Sequence, residues 1–115
     1  MVYFNSLYLG EIMYKRYVYL LGTDDNRYKI GVSVDVERRI KQLQTGCSDK
    51  IFLVDKFLSK FPFKLESALH RKYESSKING EWYLLSNDRI TDFQKDCSIM
   101  EKNYNCMSEY ENPFI

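Results

Sequence analysis

The chain has 115 residues, a length that fits one domain, and its 44% hydrophobic content is enough for one compact core. Its formal net charge of +1 gives no global electrostatic footprint for nucleic acid, although residues 87–115 carry three basic and six acidic residues, leaving the rest at +4. No apolar run approaches the ~20 residues of a membrane helix, and "MVYFNSLYLGEIMYKR" lacks the basic start and apolar block of a signal peptide.

The first two elements read as a β-hairpin. "YVYLLGTDDNRYKIGV" places two runs of β-branched, aromatic and aliphatic residues around a cluster of turn formers. "SVDVERRIKQLQTG" then reads as a helix: Ser33 or Asp35 can cap it, Val36, Ile40 and Leu43 recur at helical spacing, and Gly46 ends it. "KIFLVDKFL" is a third strand, with Ile51, Leu53 and Asp55 expected on one face. "PFKLESALHRKYESS" is a second helix, with Pro62 in its first turn and an apolar stripe of Leu65, Ala68, Leu69 and Tyr73. "NGEWYLL" is a turn leading into a short extended segment. "NDRITDFQKDCSIMEKNY" is a third helix with Asn87 as N-cap, and "NCMSEYENPFI" is a loosely held tail. The order β-β-α-β-α, then a short extended piece and a helix, points to an α+β fold in which helices pack on a small antiparallel sheet.

Cys47, Cys97 and Cys106 are far apart, no CxxC pair exists, and His70 is the only histidine. A zinc site would need all four at unusual spacings, so free thiols in a reducing compartment, cytoplasm or nucleus, are expected instead. Ten tyrosines and seven phenylalanines suit both a packed core and base stacking and decide nothing alone.

Strand alternation puts Tyr17 and Tyr19 on one face of the first strand, and Arg27, Lys29 and Gly31 on one face of the second. A tight hairpin brings Tyr19 and Lys29 together, and a nearby amine favours the phenolate by charge. Gly31 has no side chain and leaves room for a substrate. Arg39, on the following helix, can lean back over that face, and Glu66 and His70 point the same way on the second helix. Phenol, amine, guanidinium, carboxylate and imidazole make a kit for phosphodiester hydrolysis: a carboxylate holds a divalent ion, an arginine grips phosphate, a phenol takes a proton from water. Each residue also has an ordinary reading. Tyr19 can be a hairpin aromatic, Lys29 a solvated charge, Arg38 a helix-surface charge, Trp82 a core or edge anchor, and Glu66 with His70 an exposed i,i+4 pair worth ~0.3 kcal/mol.

The ordered motifs "YVY" (17–19), "KIG" (29–31), "RIKQLQTG" (39–46), "ESALH" (66–70) and "GEW" (80–82) resemble the GIY-YIG endonuclease superfamily, and within it a small viral, phage and microbial branch with KIG as second motif. The resemblance implies a central three-stranded antiparallel sheet flanked by helices and metal-dependent hydrolysis of DNA, with Mg²⁺ or Mn²⁺ as cofactor. It implies Tyr19 as general base activated by Lys29, Arg39 gripping phosphate, Glu66 holding the metal and His70 in the same constellation. Gly31, Arg38, Tyr17 (in place of the first-motif glycine) and Asn79 (nearest to a late family asparagine) are the candidate substrate contacts. Residues 16–86 are expected to form the nuclease-like core, 87–103 a helix packed on it, and 1–15 and 104–115 terminal extensions. DNA is the expected partner and a membrane is not. The other readings are a catalytically inactive nucleic-acid-binding module and a protein-interaction domain using the aromatic N-terminus.

Overall fold

The structure, a computed structural model, describes residues 15–111, with side chains as far as Met107. Of the expected terminal extensions, residues 1–14, with the aromatic N-terminus, and 112–115 lie outside the described residues.

The hairpin forms from β1 (Arg16–Thr23) and β2 (Arg27–Ser33). Its turn is closed by Asn26 N–H donating to the Thr23 carbonyl at 3.1 Å, with Asn26 at φ 65°, a left-handed conformation that asparagine tolerates. Helix α1 (Val36–Thr45) follows. Asp35, not Ser33, caps it by accepting from the Arg38 backbone N–H at 3.1 Å. Strand β3 (Ile51–Ser59) returns along β1. Helix α2 (Pro62–Lys72) starts with proline in its first turn and buries Leu65 and Leu69, with Tyr73 just beyond its end.

The sheet has five antiparallel strands in the order β3-β1-β2-β5-β4. This corrects the expected three-stranded sheet. "SKINGEWYLL" supplies two further strands, β4 (Lys77–Asn79) and β5 (Trp82–Leu84), joined through Gly80 at φ 59°. Each has three residues, too short for alternation to announce it. The last helical segment is also divided. Ser86 rather than Asn87 caps α3 (Asn87–Thr91), accepting from the Arg89 N–H, and α4 runs Phe93–Glu111. The segment expected to be a loose tail from Asn105 is helical as far as Glu111.

Helices cover both faces of the sheet. On one face α1 lays Val36, Ile40 and Leu43 against Tyr19, Leu21 and Ile51. On the other, α2 and α4 bury Leu65, Leu69, Tyr73, Phe93 and Cys97 against Val18, Leu20, Tyr28 and Ile30. Full burial of an aliphatic side chain such as Leu65 or Leu69 contributes about 1.5–3 kcal/mol. A bulge in the β1–β3 pairing, at Leu20 and Leu21, makes Leu20 face Asp55 while Leu21 faces Leu53. The extra residue flips the strand. Asp55 therefore does not share a face with Ile51: it accepts from Gln94 of α4 at 2.7 Å, on the opposite side of the sheet.

Candidate active site

β5 pairs with β2 only at Arg27, Tyr28 and Lys29. Beyond Lys29, that edge of β2 is left unpaired by β5, and a cleft of about 210 Å³ opens against Ile30, Gly31 and Val32. Its other walls are Tyr19 from β1, Lys29 from β2, Arg39 from α1, Glu66 from α2 and Glu81 from the β4–β5 turn. The open edge is what lets residues from both sides of the sheet meet. Tyr19 and Lys29 arrive from the α1 face, and Glu66 from the helix on the other.

Tyr19 is 2% exposed and pairs in register with Gly31. A Cβ on Gly31 would lie 2.2 Å from the Tyr19 hydroxyl and 2.4 Å from the ring carbon bearing it. The missing side chain thus makes room for the phenol, and that space is filled from within rather than left open to a substrate. Burial pushes the Tyr19 phenol above its ordinary pKa; hydrogen bonding and charge from Arg39 oppose the shift, while Glu66 and Glu81 add to it.

Lys29 lies across from Leu21, two residues along from the Tyr19 position. It is 8% exposed, and its amine is held in an ion pair by the Glu81 carboxylate, below the Trp82 ring at 5.9 Å. The hydrogen bond from Lys29, and then its charge, hold the Glu81 carboxyl below the usual range, with His70 and Arg39 contributing. Arg39 is solvent-exposed and contacts Gln42 at 3.4 Å.

His70 stands just outside the cleft. Its Nδ1 is 2.5 Å from the Tyr83 hydroxyl and its Nε2 3.9 Å from the Glu66 carboxylate. It lines an adjoining recess that shares Glu81 with the cleft. Three other candidates do not line the cleft. Arg38 is exposed on α1, with its backbone N–H on the helix cap. Tyr17 lies under the Lys56 amine at 4.6 Å. Asn79 is exposed in β4, opposite Trp82. Glu81 was not among the residues expected to act. Its only sequence signal is a carboxylate just after an "NG" turn.

Among the described residues, no group of three or more His, Cys, Asp or Glu side chains is placed to cage a metal ion. The cleft offers Glu66 and Glu81. That fits a magnesium-like ion, which keeps several waters and takes one or two carboxylates together with substrate phosphate oxygens.

Residues 16–98 match the T5orf172 domain. The chain is also 32% identical over 87 residues to "Uncharacterized protein 460R" of Invertebrate iridescent virus 6, an alignment covering 74% of this chain and 34% of that protein. The chain thus spans about a third of the length of the curated relative it matches. No solved structure matches it. The match to T5orf172 overturns the GIY-YIG assignment suggested by the short motifs, each of which is only three to eight residues long. The chain belongs to the T5orf172 family.

Proposed function

We propose that this chain is a metal-dependent DNA endonuclease acting at the cleft beside the open edge of β2. The observation that carries the reading is the convergence of Tyr19, Lys29, Arg39, Glu66 and Glu81, from five separate segments, on one small polar recess. Tyr19 belongs to the packed core, but Arg39 and Glu81 are exposed and Glu66 is half-buried, so core packing does not bring those three to it, and perturbed titratable groups gathered in a cleft mark functional sites.

Arg39 is exposed and able to swing, and its planar fork suits two phosphate oxygens at once. Lys29 supplies a second positive charge, fixed in place by Glu81. Glu66 is the residue to hold a divalent ion such as Mg²⁺ or Mn²⁺, which would stabilise charge developing on the phosphate and leaving oxygen. Tyr19, like any phenol, is protonated at neutral pH, and burial disfavours its phenolate further. Its first role is therefore to orient the attacking water by hydrogen bonding. A base role for Tyr19 would require the positive charges around it to overcome burial. Water attacks phosphorus and loses one proton to the solvent, the bond to the leaving sugar oxygen breaks, and the departing oxygen takes a proton back from the solvent. His70, bonded to Tyr83, is close enough to Glu66 to steady that carboxylate.

The test is nicking of supercoiled plasmid with Mg²⁺ or Mn²⁺. Glu66→Ala should abolish it, and Arg39→Ala should slow it by about 10²–10³-fold, the scale of losing one charge-stabilising donor. Equal cutting by wild type and Glu66→Ala, or no cutting of any DNA alongside salt-sensitive binding, would leave a binding module instead.

A further inference from the structure

A second feature lies on the opposite flank of α2. There a groove of about 510 Å³ runs between α2 and α4, lined by Phe61, Phe63, Lys64, Arg71, Tyr104 and Met107 together with one serine. Phe63 is 63% exposed and Met107 54%, and the two lie in the same groove. The Lys64 amine lies 5.9 Å over the Phe61 ring, which packs 5.9 Å from Tyr104. Among the described residues lining the groove there is no carboxylate, while a second recess continues it past Lys60 and Arg16. On a chain of net charge +1, this is a basic patch that carries one exposed aromatic ring, Phe63, beside the half-buried pair Phe61 and Tyr104.

The groove is also connected to the cleft. Arg71 lines both the groove and the recess beside His70, and Glu81 lines both that recess and the cleft. That recess also carries Lys77 and Glu74, so the way from the cleft to Phe63 passes over Arg71 and beside a carboxylate.

We infer that this groove holds a single-stranded segment of nucleic acid continuous with the strand in the cleft, so that the preferred substrate is DNA with an unpaired tail or flap. The inference rests on the cleft being where DNA is cut. The complementarity is specific. Cations follow a phosphate backbone, and the exposed Phe63 ring offers a stacking face that only an unpaired base can use, since the faces of paired bases are occupied by their neighbours. An acidic protein partner would meet the charges but would leave the stacking faces without purpose.

The experiment is fluorescence anisotropy of the full chain with a labelled oligothymidylate of about twelve nucleotides, within the usual site sizes, and with a blunt duplex, both without divalent ion. Wild type should bind the single strand, more weakly as salt rises. Phe63→Ala, at an exposed position that leaves the fold intact by circular dichroism, should weaken that binding about ten-fold, the loss of one stacked base. The same variant should change duplex affinity less than two-fold. Lys64→Ala with Arg71→Ala should flatten the salt dependence for the single strand. Unchanged single-strand affinity in Phe63→Ala, an equal loss for duplex, or no single-strand binding by wild type would each overturn the inference. So would a wild-type dimer in sedimentation that Phe63→Ala dissociates, which would make the groove a contact between copies. The two readings separate cleanly. Phe63-dependent binding without any nicking supports the groove and defeats the nuclease, whereas Glu66-dependent nicking with no effect of Phe63→Ala does the reverse.

Discussion

Gly31 and Tyr19 form a lock of two residues. The phenol occupies the volume a Cβ would need, 2.2 Å from its own oxygen. Gly31→Ala must therefore push the ring aside or distort β2, costing about 1–3 kcal/mol as overpacking does. Chemical denaturation should show that loss, and it should nearly vanish in a Tyr19→Ala background, where the space is free. Nicking should fail in Gly31→Ala even where folding is complete, because the phenol no longer meets the cleft. Alternation along the strands was enough to place Tyr19, Lys29 and Gly31 on one face. It did not show which of them touch, because register decides that, and register puts Tyr19 opposite Gly31 and Lys29 opposite Leu21. The Lys29–Glu81 ion pair spans 52 positions, a separation that no local spacing rule covers.

Elements carry the next level of positioning. α2 presents Glu66 to the cleft only while its opposite flank stays docked on α4. Asp96 is the joint there: it accepts from the Tyr73 hydroxyl at 3.1 Å and pairs with the Lys72 amine at 2.9 Å. Asp96→Ala would leave the buried Tyr73 phenol without a partner and cost about 1–3 kcal/mol in a urea titration. Nicking per folded molecule should fall less than in Glu66→Ala, since no cleft group is removed. The helices and the first three strands were legible because each carries enough residues for its period to register, as with Val36, Ile40 and Leu43 on α1. β4 and β5 were not, and they matter to the site. Their hairpin delivers Glu81, and its shortness ends the pairing of β2 at Lys29. The break at Asp92 between α3 and α4 has no proline or glycine to announce it.

For the molecule as a whole, the buried weak acids on its two core faces make folding sensitive to alkaline pH. Burial pushes the Cys97 thiol from 9.0 up to about 12, with nearby Asp55, Asp96 and Glu101 adding to it. Tyr73 and Tyr19 are also raised, again mainly by burial. In each case the folded state holds a proton that the unfolded chain gives up more readily. Stability is therefore intact below pH 9 and declines as pH rises toward 12, by up to about 1.4 kcal/mol per pH unit for each proton involved. Urea midpoints at pH 8 and pH 11 should differ accordingly, with the lower at pH 11. The Cys97→Ala variant should lose part of that difference while being less stable at both. None of this shows in a net charge of +1, because it depends on which groups the core encloses.

The bulge in β3 has a consequence for how this molecule meets others of its kind. β3 is an outer strand of nine residues, and Phe52, Leu53 and Leu58 on it are exposed. A long flat edge with such side chains is a template on which a second chain can add its own strand and start a growing aggregate. The extra residue twists the edge out of plane at its middle, and the charged pair Asp55 and Lys56 sits just there. The irregularity that moves Asp55 to the α4 side of the sheet also breaks the flat outline that strand addition by a neighbouring copy favours.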